Sequence, residues 1–271
     1  MSVDPATSGD RTVPCSAAQP PSPCSAGDPP RPVGAGAGAR LPGGSIDGVI
    51  FDLDGTLVDS LGGITAALNE ALADEGFGPV TAERVRGIVG DGPRSLCARA
   101  AALEAGDGPR IDRLVGRFRA RYAAEPVRGT VPYPGVLGVL DALSPRRFAV
   151  CTNKGRRVAE LVLGAFAILP RLRVLVAEDD LPVRKPDPRP LLVAAERLGV
   201  AAARVLVVGD GVQDIGAARG AGMRSCALLQ GYTARDVLLA AGPDLVLERI
   251  GELPGVFGVS AGPAARGSWG G

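Results

Sequence analysis

Two aspartates stand directly after a short apolar segment of the chain. The segment 48–51 reads Gly-Val-Ile-Phe, and Asp52 and Asp54 come before the chain-breaking pair Gly55-Thr56. The apolar run predicts a buried strand. Side chains two positions apart on a strand point the same way, so both carboxylates address one small volume. Their repulsion requires a nearby cation or a raised pKa in one of them.

More polar groups follow other strand-like segments, each at the start of a predicted loop or helix. They are Thr152 and Asn153 after 147–151, Lys185 in the loop after 172–177, and Asp210 and Asp214 after 204–208. The carboxyl ends of parallel strands meet at one sheet edge, where ligands bind in α/β proteins. The sequence therefore predicts that these groups form one site.

Alternating strand and helix patterns predict the fold class: an α/β protein with a doubly wound parallel sheet. Residues 62–130 show helical spacing without strand alternation, so we expect an inserted α-helical cap there. The sheet domain is then formed by 46–61 and 131–255. The Pro-, Gly- and Ala-rich segments 1–45 and 256–271 bury too little apolar surface to fold, and we expect a disordered tail and a flexible tail.

Composition narrows the classes of function. The 271 residues carry a formal net charge of +1, which gives no reason to expect nucleic acid as a partner. No apolar run has membrane-spanning length and the N-terminus lacks a signal-peptide pattern, so we expect a cytoplasmic protein. The chain has no histidine, which excludes Ser-His-Asp hydrolysis, phosphohistidine chemistry and the usual zinc sites.

Lysine and cysteine usage adds two observations. Lysine occurs only as Lys154 and Lys185 in an otherwise arginine-rich chain, which indicates positions that require a compact point charge. Composition drift would explain the same pattern. The five cysteines predict reduced thiols, and Cys151 is interpreted as a buried strand thiol because no histidine activates it.

Phosphoryl transfer gives each of these groups a task. One carboxylate attacks phosphorus and forms an aspartyl-phosphate, while a second acid protonates the leaving oxygen and later activates water. Mg²⁺ takes oxygen ligands and relieves carboxylate repulsion. A hydroxyl and a lysine hold the phosphate oxygens.

The same segments resemble the four motifs of the haloacid dehalogenase superfamily over about residues 46–253. The motifs are Asp52-Leu53-Asp54-Gly55-Thr56-Leu57-Val58-Asp59-Ser60, Thr152-Asn153-Lys154, Lys185-Pro186-Asp187-Pro188, and Gly209-Asp210 with Asp214. Three further segments, 132–136, 184–186 and 230–232, are similar to the phosphoglycolate phosphatase subgroup. A helical insert directly after the first motif is found in members with an α-helical cap.

The resemblance implies a role for each matching residue. Asp52 is the nucleophile and Asp54 the acid/base. Mg²⁺ is held by the Asp52 side chain, the Asp54 carbonyl oxygen and Asp210, with Asp214 as an outer group. Thr152 and the Asn153 backbone bind phosphate, and Lys185 neutralises charge. Gly211 departs from the pattern, because relatives often carry Ser or Thr there, and a hydrogen bond near the metal is expected to be missing.

The resemblance also ranks the possible substrates. A dehalogenase lacks an acid at the Asp54 position, and family mutases and phosphonate-cleaving relatives use a cap His or Lys that this chain lacks. We therefore expect a phosphatase acting on a small phosphorylated metabolite, with 2-phosphoglycolate first and pyrophosphate or nucleoside monophosphates as alternatives. Arg94 is the candidate contact for the substrate carboxylate, with a surface position equally open.

Two questions stay open at this level. A catalytically silent binding module is the alternative of another class, supported by the Pro-rich tail and Gly211. Both a monomer and a homodimer are compatible with the sequence.

Overall fold

Six parallel strands form the centre of the protein in the computed structural model, which describes Met1 and residues 45–259. Their order is β5-β4-β1-β6-β7-β8, and every neighbouring pair is parallel. In chain order the strands are β1 (Gly48–Phe51), β2 (Val58–Asp59), β3 (Val131–Pro132), β4 (Arg147–Cys151), β5 (Val174–Val176), β6 (Val205–Gly209), β7 (Arg224–Leu228) and β8 (Leu245–Leu247). The predicted doubly wound sheet is confirmed.

Helices cover both faces of this sheet and form the insert. They are α1 (Leu61–Asp74), α2 (Ala82–Arg86), α3 (Pro93–Ala100), α4 (Gly108–Ala124), α5 (Val136–Ala142), α6 (Arg156–Ala165), α7 (Arg189–Leu198), α8 (Val212–Gly220), α9 (Arg235–Ala240) and α10 (Leu253–Val256). None of the helices in the described ranges is long and apolar enough to cross a membrane.

Strand β1 lies at the centre because its side chains are apolar on both faces. Val49 and Phe51 pack into one core cluster, whereas Ile50 packs into a second cluster on the opposite face. All three side chains are fully buried. A strand buried on both faces needs helices on both sides, which the alternating βα pattern provides. The carboxylates that follow β1 are thereby fixed in the middle of the sheet edge.

Helices α1 to α4 form the helical insert, which is connected to the sheet by a short antiparallel ribbon. In this ribbon Val58 of β2 pairs with Pro132 of β3. The sequence did not predict the ribbon, since two-residue strands give no periodic signal. Thr81 caps α2, and its Oγ1 accepts a hydrogen bond from the Arg84 N–H at 3.2 Å.

Three arginines at four-residue spacing form a solvated face of α4. Arg113 and Arg117 pair with Glu75, and Arg121 pairs with Asp74. These pairs lie on the surface, where each contributes little to stability.

The expected tails have different outcomes. The N-terminal prediction falls almost entirely outside the described residues. The C-terminal prediction requires a correction at its start, because Val256 ends α10 and is buried. The Phe257 ring lies 4.2 Å from the Arg146 guanidinium, so packed structure continues to at least this residue. Apolar side chains in a Gly-rich context were the missed signal.

Candidate active site

Four carboxylates and both lysines of the chain meet at the carboxyl edge of the sheet. Asp52 follows β1, and Asp210 follows β6. When all six groups are ionised, the cluster has a net charge of −2. The predicted convergence of strand ends is therefore observed. The six residues are Asp52, Asp54, Lys154, Lys185, Asp210 and Asp214.

Lys185 links two of the carboxylates. Its Nζ lies 2.9 Å from Asp52 Oδ1 and 2.6 Å from Asp214 Oδ1, and it also donates to the Cys151 carbonyl oxygen at 2.6 Å. The Lys185 side chain is only 2% exposed. Burial alone lowers the pKa of Lys185, but Asp214 and Asp52 outweigh this effect and the pKa is raised. Lys185 is therefore a permanent buried cation beside Asp52.

Asp210 lies in a cradle formed by two glycines. Its Oδ1 accepts from the Thr56 hydroxyl at 2.8 Å, and its Oδ2 accepts from the Tyr232 N–H at 2.9 Å. A Cβ added at Gly55 or Gly231 would lie 2.2 Å from an Asp210 atom. Gly55 also has a φ of +82°, which side chains rarely adopt. Both positions therefore require glycine if Asp210 is to approach Asp52.

Burial first, and the charge of neighbouring carboxylates second, raise the pKa of both Asp52 and Asp210. Burial, followed by the charge of Asp52, raises the pKa of Asp210 to about 8. Burial is also the largest influence on Asp52, and its pKa is raised even though Lys185 opposes the change. Asp52, Asp210 and Asp214 each offer a carboxylate oxygen within 4.8 Å of the others. These hard oxygen donors and their excess negative charge fit a divalent cation.

Asp54 has a separate cation. Lys154 Nζ lies 2.8 Å from Asp54 Oδ1 and 3.1 Å from Oδ2, and the Ser60 hydroxyl donates to Oδ1 at 2.5 Å. The same ammonium reaches the Tyr122 hydroxyl of α4 at 2.6 Å. Asp52 and Asp54 are thus each paired with one of the two lysines.

Thr152 and Asn153 are buried beside these pairs. The Thr152 hydroxyl accepts from the Lys154 N–H at 3.2 Å. The Asn153 side chain accepts from the Lys185 N–H at 3.1 Å and donates to the Lys185 carbonyl oxygen at 3.0 Å. The sequence assigned only the Asn153 backbone to the site, but its side chain also fixes the main chain that carries Lys185.

A cavity of about 740 Å³, including its open mouth, lies between the sheet edge and the helical insert. The catalytic candidates line its floor, and apolar side chains of the insert line its roof. Arg119 of α4 also lines it and pairs with Glu178 at 2.6 Å. The roof includes Ile64, Val89, Pro93, Leu96 and Phe118.

Arg94 does not belong to this lining. It pairs with Asp112 on the surface of the insert, and its side chain is 48% exposed. The neighbouring residue Pro93 faces the cavity, so α3 turns Arg94 away from it. Of the predicted site residues, Arg94 is the one that the structure does not bring to the others.

Gly211 leaves room for a different side chain. A Cβ at this position would lie 2.0 Å from the Gln213 amide nitrogen. Gln213 lines the cavity, and its amide also lies 2.9 Å from the Cβ position of Gly90 in the insert. The space above Gly211 is therefore occupied by Gln213, which lies between the core and the insert.

Three residues at the site were not given a role from the sequence. Lys154 stands in the second motif, and the rarity of lysine was the signal that could have identified it. Tyr122 and Arg119 lie on a helix whose register relative to the sheet the sequence does not define. Their spacing of three places both on one helix face.

The fold and the acidic, lysine-paired site define a hydrolase of the α/β class with a helical insert over its active site. The family model described as haloacid dehalogenase-like hydrolase matches residues 49–228. The chain therefore belongs to the haloacid dehalogenase-like hydrolase family, and it is a phosphatase-type member of it.

Named relatives agree with this assignment. The chain is 40% identical over 197 residues to a phosphoglycolate phosphatase of Rhodospirillum rubrum, covering 70% of this chain and 82% of the relative. It is 37% identical to an N-acetylmuramic acid 6-phosphate phosphatase of Pseudomonas aeruginosa, covering 68% and 82% of the two chains. A crystal structure of a predicted phosphoglycolate phosphatase from Haemophilus somnus has a TM-score of 0.71 and 28% identity, covering 77% of this chain and 96% of that one.

Proposed function

We propose that this chain is a Mg²⁺-dependent phosphomonoester hydrolase that acts through an aspartyl-phosphate on Asp52, with 2-phosphoglycolate as its leading substrate. One observation carries the proposal. Asp52 and Asp54 lie side by side at the sheet edge, and each has its own buried ammonium group, at 2.9 and 2.8 Å respectively. Two carboxylates with separate partners suit separate tasks, one as nucleophile and one as acid/base.

The first step forms the aspartyl-phosphate. An oxygen of Asp52 bonds to phosphorus while the bond from phosphorus to the leaving oxygen breaks, and Asp54 gives that oxygen a proton. Lys185 holds Asp52 Oδ1. Asp52 Oδ2 accepts no hydrogen bond from the described residues and is free to react. The Thr152 hydroxyl and the Lys185 ammonium lie where they can stabilise charge on the phosphoryl oxygens.

In the second step Asp54 acts as a general base instead of a general acid. Its carboxylate takes a proton from water, and the water oxygen bonds to phosphorus as the bond to Asp52 breaks. Asp52, Asp210 and the Asp54 carbonyl oxygen would hold Mg²⁺, with Asp214 as an outer group. When bound, the ion supplies Lewis-acid stabilisation of the phosphoryl charge. The apolar roof of the cavity keeps bulk water away from the intermediate.

The preference for 2-phosphoglycolate rests on the cavity wall and the relatives. Arg119 is the arginine of the insert that lines the cavity and can meet a second anionic group on the substrate. The relative from Rhodospirillum rubrum is named for this substrate. Arg119 thereby takes the role that the sequence gave to Arg94.

N-acetylmuramic acid 6-phosphate is a second candidate. A relative at 37% identity is named for it, and its sugar and carboxylate match a roomy, apolar-roofed cavity with one arginine. Both candidates carry a carboxylate, so Arg119 serves either one. The two candidate substrates differ in the size of the leaving group, so their kcat/KM values distinguish them.

The test measures phosphate release by the full chain from both candidates, pyrophosphate, a nucleoside monophosphate and p-nitrophenyl phosphate, with and without Mg²⁺. We expect the highest kcat/KM with 2-phosphoglycolate and loss of turnover in Asp52→Asn. Equal turnover by wild type and Asp52→Asn would reject the nucleophile. A higher kcat/KM for another compound would replace the substrate but leave the reaction class intact.

A further inference from the structure

Lys154 is a buried lysine that faces the acid/base rather than the acidic cluster. Its Nζ contacts both Asp54 oxygens and the Tyr122 hydroxyl, at 2.8, 3.1 and 2.6 Å. Its side chain is 5% exposed. Among the described residues it forms no hydrogen bond or ion pair with Asp52 or Asp210. Its environment therefore links it to Asp54 and to the insert.

The ammonium of Lys154 is enclosed by partners from two parts of the fold. Both Asp54 carboxylate oxygens and the Tyr122 hydroxyl accept hydrogen bonds from it. A buried charge of this kind is stable only with partners that satisfy its hydrogens. Asp54 supplies the compensating charge, and Tyr122 supplies a neutral acceptor from a different part of the fold.

Tyr122 brings the helical insert into this arrangement. It lies on α4 and is buried. Arg119, one helical turn earlier, pairs with Glu178, whose N–H donates to the Lys154 carbonyl oxygen at 3.1 Å. The same face of α4 thus contacts Lys154 directly through Tyr122, and Arg119 of that face is linked to it indirectly through Glu178. Lys154 has its full set of partners only when α4 lies against the sheet edge.

We propose that Lys154 is a positioning residue that orients Asp54 toward the leaving group and stabilises the negative charge that Asp54 acquires on giving up its proton. Tyr122 makes this arrangement depend on the seating of the insert. The inference rests on the proposed phosphatase function and adds a residue for which that function gave no role.

The chemical step makes the contribution specific. As the phosphorus–oxygen bond breaks, the electron pair goes to the leaving oxygen, which takes the proton of Asp54. Asp54 becomes a carboxylate beside the Lys154 ammonium, and this attraction favours the transfer. A leaving group that departs readily as an anion needs little help from this transfer. A basic leaving group needs the full contribution.

The experiment therefore compares two aryl phosphates without a carboxylate, phenyl phosphate and p-nitrophenyl phosphate. Phenol is the more basic leaving group of the two. We measure kcat/KM, which reports phosphoryl transfer to Asp52, for wild type, Lys154→Met, Lys154→Arg and Tyr122→Phe. General acid catalysis contributes about 10²–10⁴-fold. We expect Lys154→Met to lose about 10²-fold on phenyl phosphate and less than about fivefold on p-nitrophenyl phosphate.

Two milder variants test the inference even if Lys154→Met does not fold. Lys154→Arg keeps a cation that pairs well with carboxylates, and we expect it to restore most of the phenyl phosphate activity. Tyr122→Phe removes one hydrogen bond donated by the Lys154 ammonium but leaves the ion pair with Asp54 in place, so we expect about a 2- to 10-fold loss, again larger on phenyl phosphate. Asp54→Asn is the reference for full loss of the acid and shows the same selectivity.

Equal losses on both substrates, or no loss on either, would overturn the inference and leave Lys154 as a structural ion pair. If Lys154→Met does not fold, the same conclusion follows when Tyr122→Phe loses activity equally on both substrates or on neither. A wild-type chain without Mg²⁺-dependent turnover of any phosphomonoester would instead reject the proposed function, and with it this inference. The two failures are therefore distinguishable.

Discussion

The side chain of Asn153 donates a hydrogen bond to the carbonyl oxygen of Gly90 at 2.9 Å, joining the second motif of the core to a loop of the helical insert. The same amide group holds the Lys185 main chain through its carbonyl oxygen and its N–H. One side chain thus fixes both the buried cation next to Asp52 and the loop that roofs the cavity.

Replacement of Asn153 by Ala is expected to lower kcat/KM by about 10- to 100-fold, because small displacements of catalytic groups cost up to about 10²-fold. Steady-state kinetics with 2-phosphoglycolate measures this loss. Asn69→Ala is the matched control, since Asn69 clamps Val80 with the same pair of hydrogen bonds, at 3.0 and 2.8 Å, away from the cavity. Each variant loses about 1–3 kcal/mol of stability. Equal kcat/KM in the two variants would contradict the role of Asn153.

Replacement of Gly55 by Ala is expected to weaken divalent cation binding by at least about tenfold. The new Cβ would lie 2.2 Å from Asp210 Oδ2, so Asp210 must move away from Asp52. Gly76→Ala is the control, because Gly76 also has a positive φ, +78°, but has no atom within 4 Å of its Cβ position. Positive-φ strain costs both variants about 1 kcal/mol. Calorimetric titration with Mg²⁺ separates the two, and similar affinities would refute the cradle.

Asp210→Asn is expected to stabilise the metal-free protein as the pH rises. The folded-state pKa of Asp210 is about 8, above its usual 3.8, so the folded state holds the proton more tightly than the unfolded state. This carboxyl therefore costs no stability below about pH 4, and its cost grows until about pH 8. Asparagine can still accept from the Tyr232 N–H and can donate to the Thr56 hydroxyl.

Thermal unfolding in the presence of a chelator checks this prediction. The Tm of Asp210→Asn should equal that of wild type near pH 4 and exceed it by several degrees above pH 8, since each kcal/mol corresponds to about 2–4 °C in a chain of this size. Added Mg²⁺ should raise the Tm of wild type alone. A constant difference across the pH range would show that folding does not raise the pKa of Asp210.

Arg119→Gln is expected to raise KM for 2-phosphoglycolate while leaving p-nitrophenyl phosphate, which lacks a carboxylate, almost unchanged. A charged hydrogen bond contributes about 1.5–3 kcal/mol, which corresponds to a rise of about 10- to 100-fold. Arg94→Gln is the control, because Arg94 is also a half-exposed, ion-paired arginine of the insert but faces away from the cavity. A larger effect at Arg94 would restore the assignment made from the sequence.

The sheet and its site residues were predictable because they leave local signals. The apolar run of β1 followed by Asp52 and Asp54 marks both a strand and its functional end, and the same applies to β6 and Asp210. The βα alternation fixes the sheet type through the rule that parallel strands need crossovers. These features depend on residues close together in the chain.

The residues of the helical insert that face the cavity could not be predicted from local sequence in this way. Arg94 and Arg119 both lie on helices of the insert, and only the packing of α3 and α4 decides which one faces the cavity. The partnership of Lys154 with Tyr122 likewise joins two segments across the fold. The Gln213 amide occupies the space above Gly211, and a sequence motif does not describe how such space is filled.

The central position of β1 in the sheet determines when the site can form during synthesis of the chain. Asp54 leaves the ribosome 100 residues before its partner Lys154, and Thr56 precedes its partner Asp210 by 154 residues. At about 5–20 residues per second, seconds pass before both flanking strands, β4 and β6, have been synthesised. The nascent chain thus carries Asp52 and Asp54 without their partners, and the site can form only after β6 and Asp214 have been synthesised.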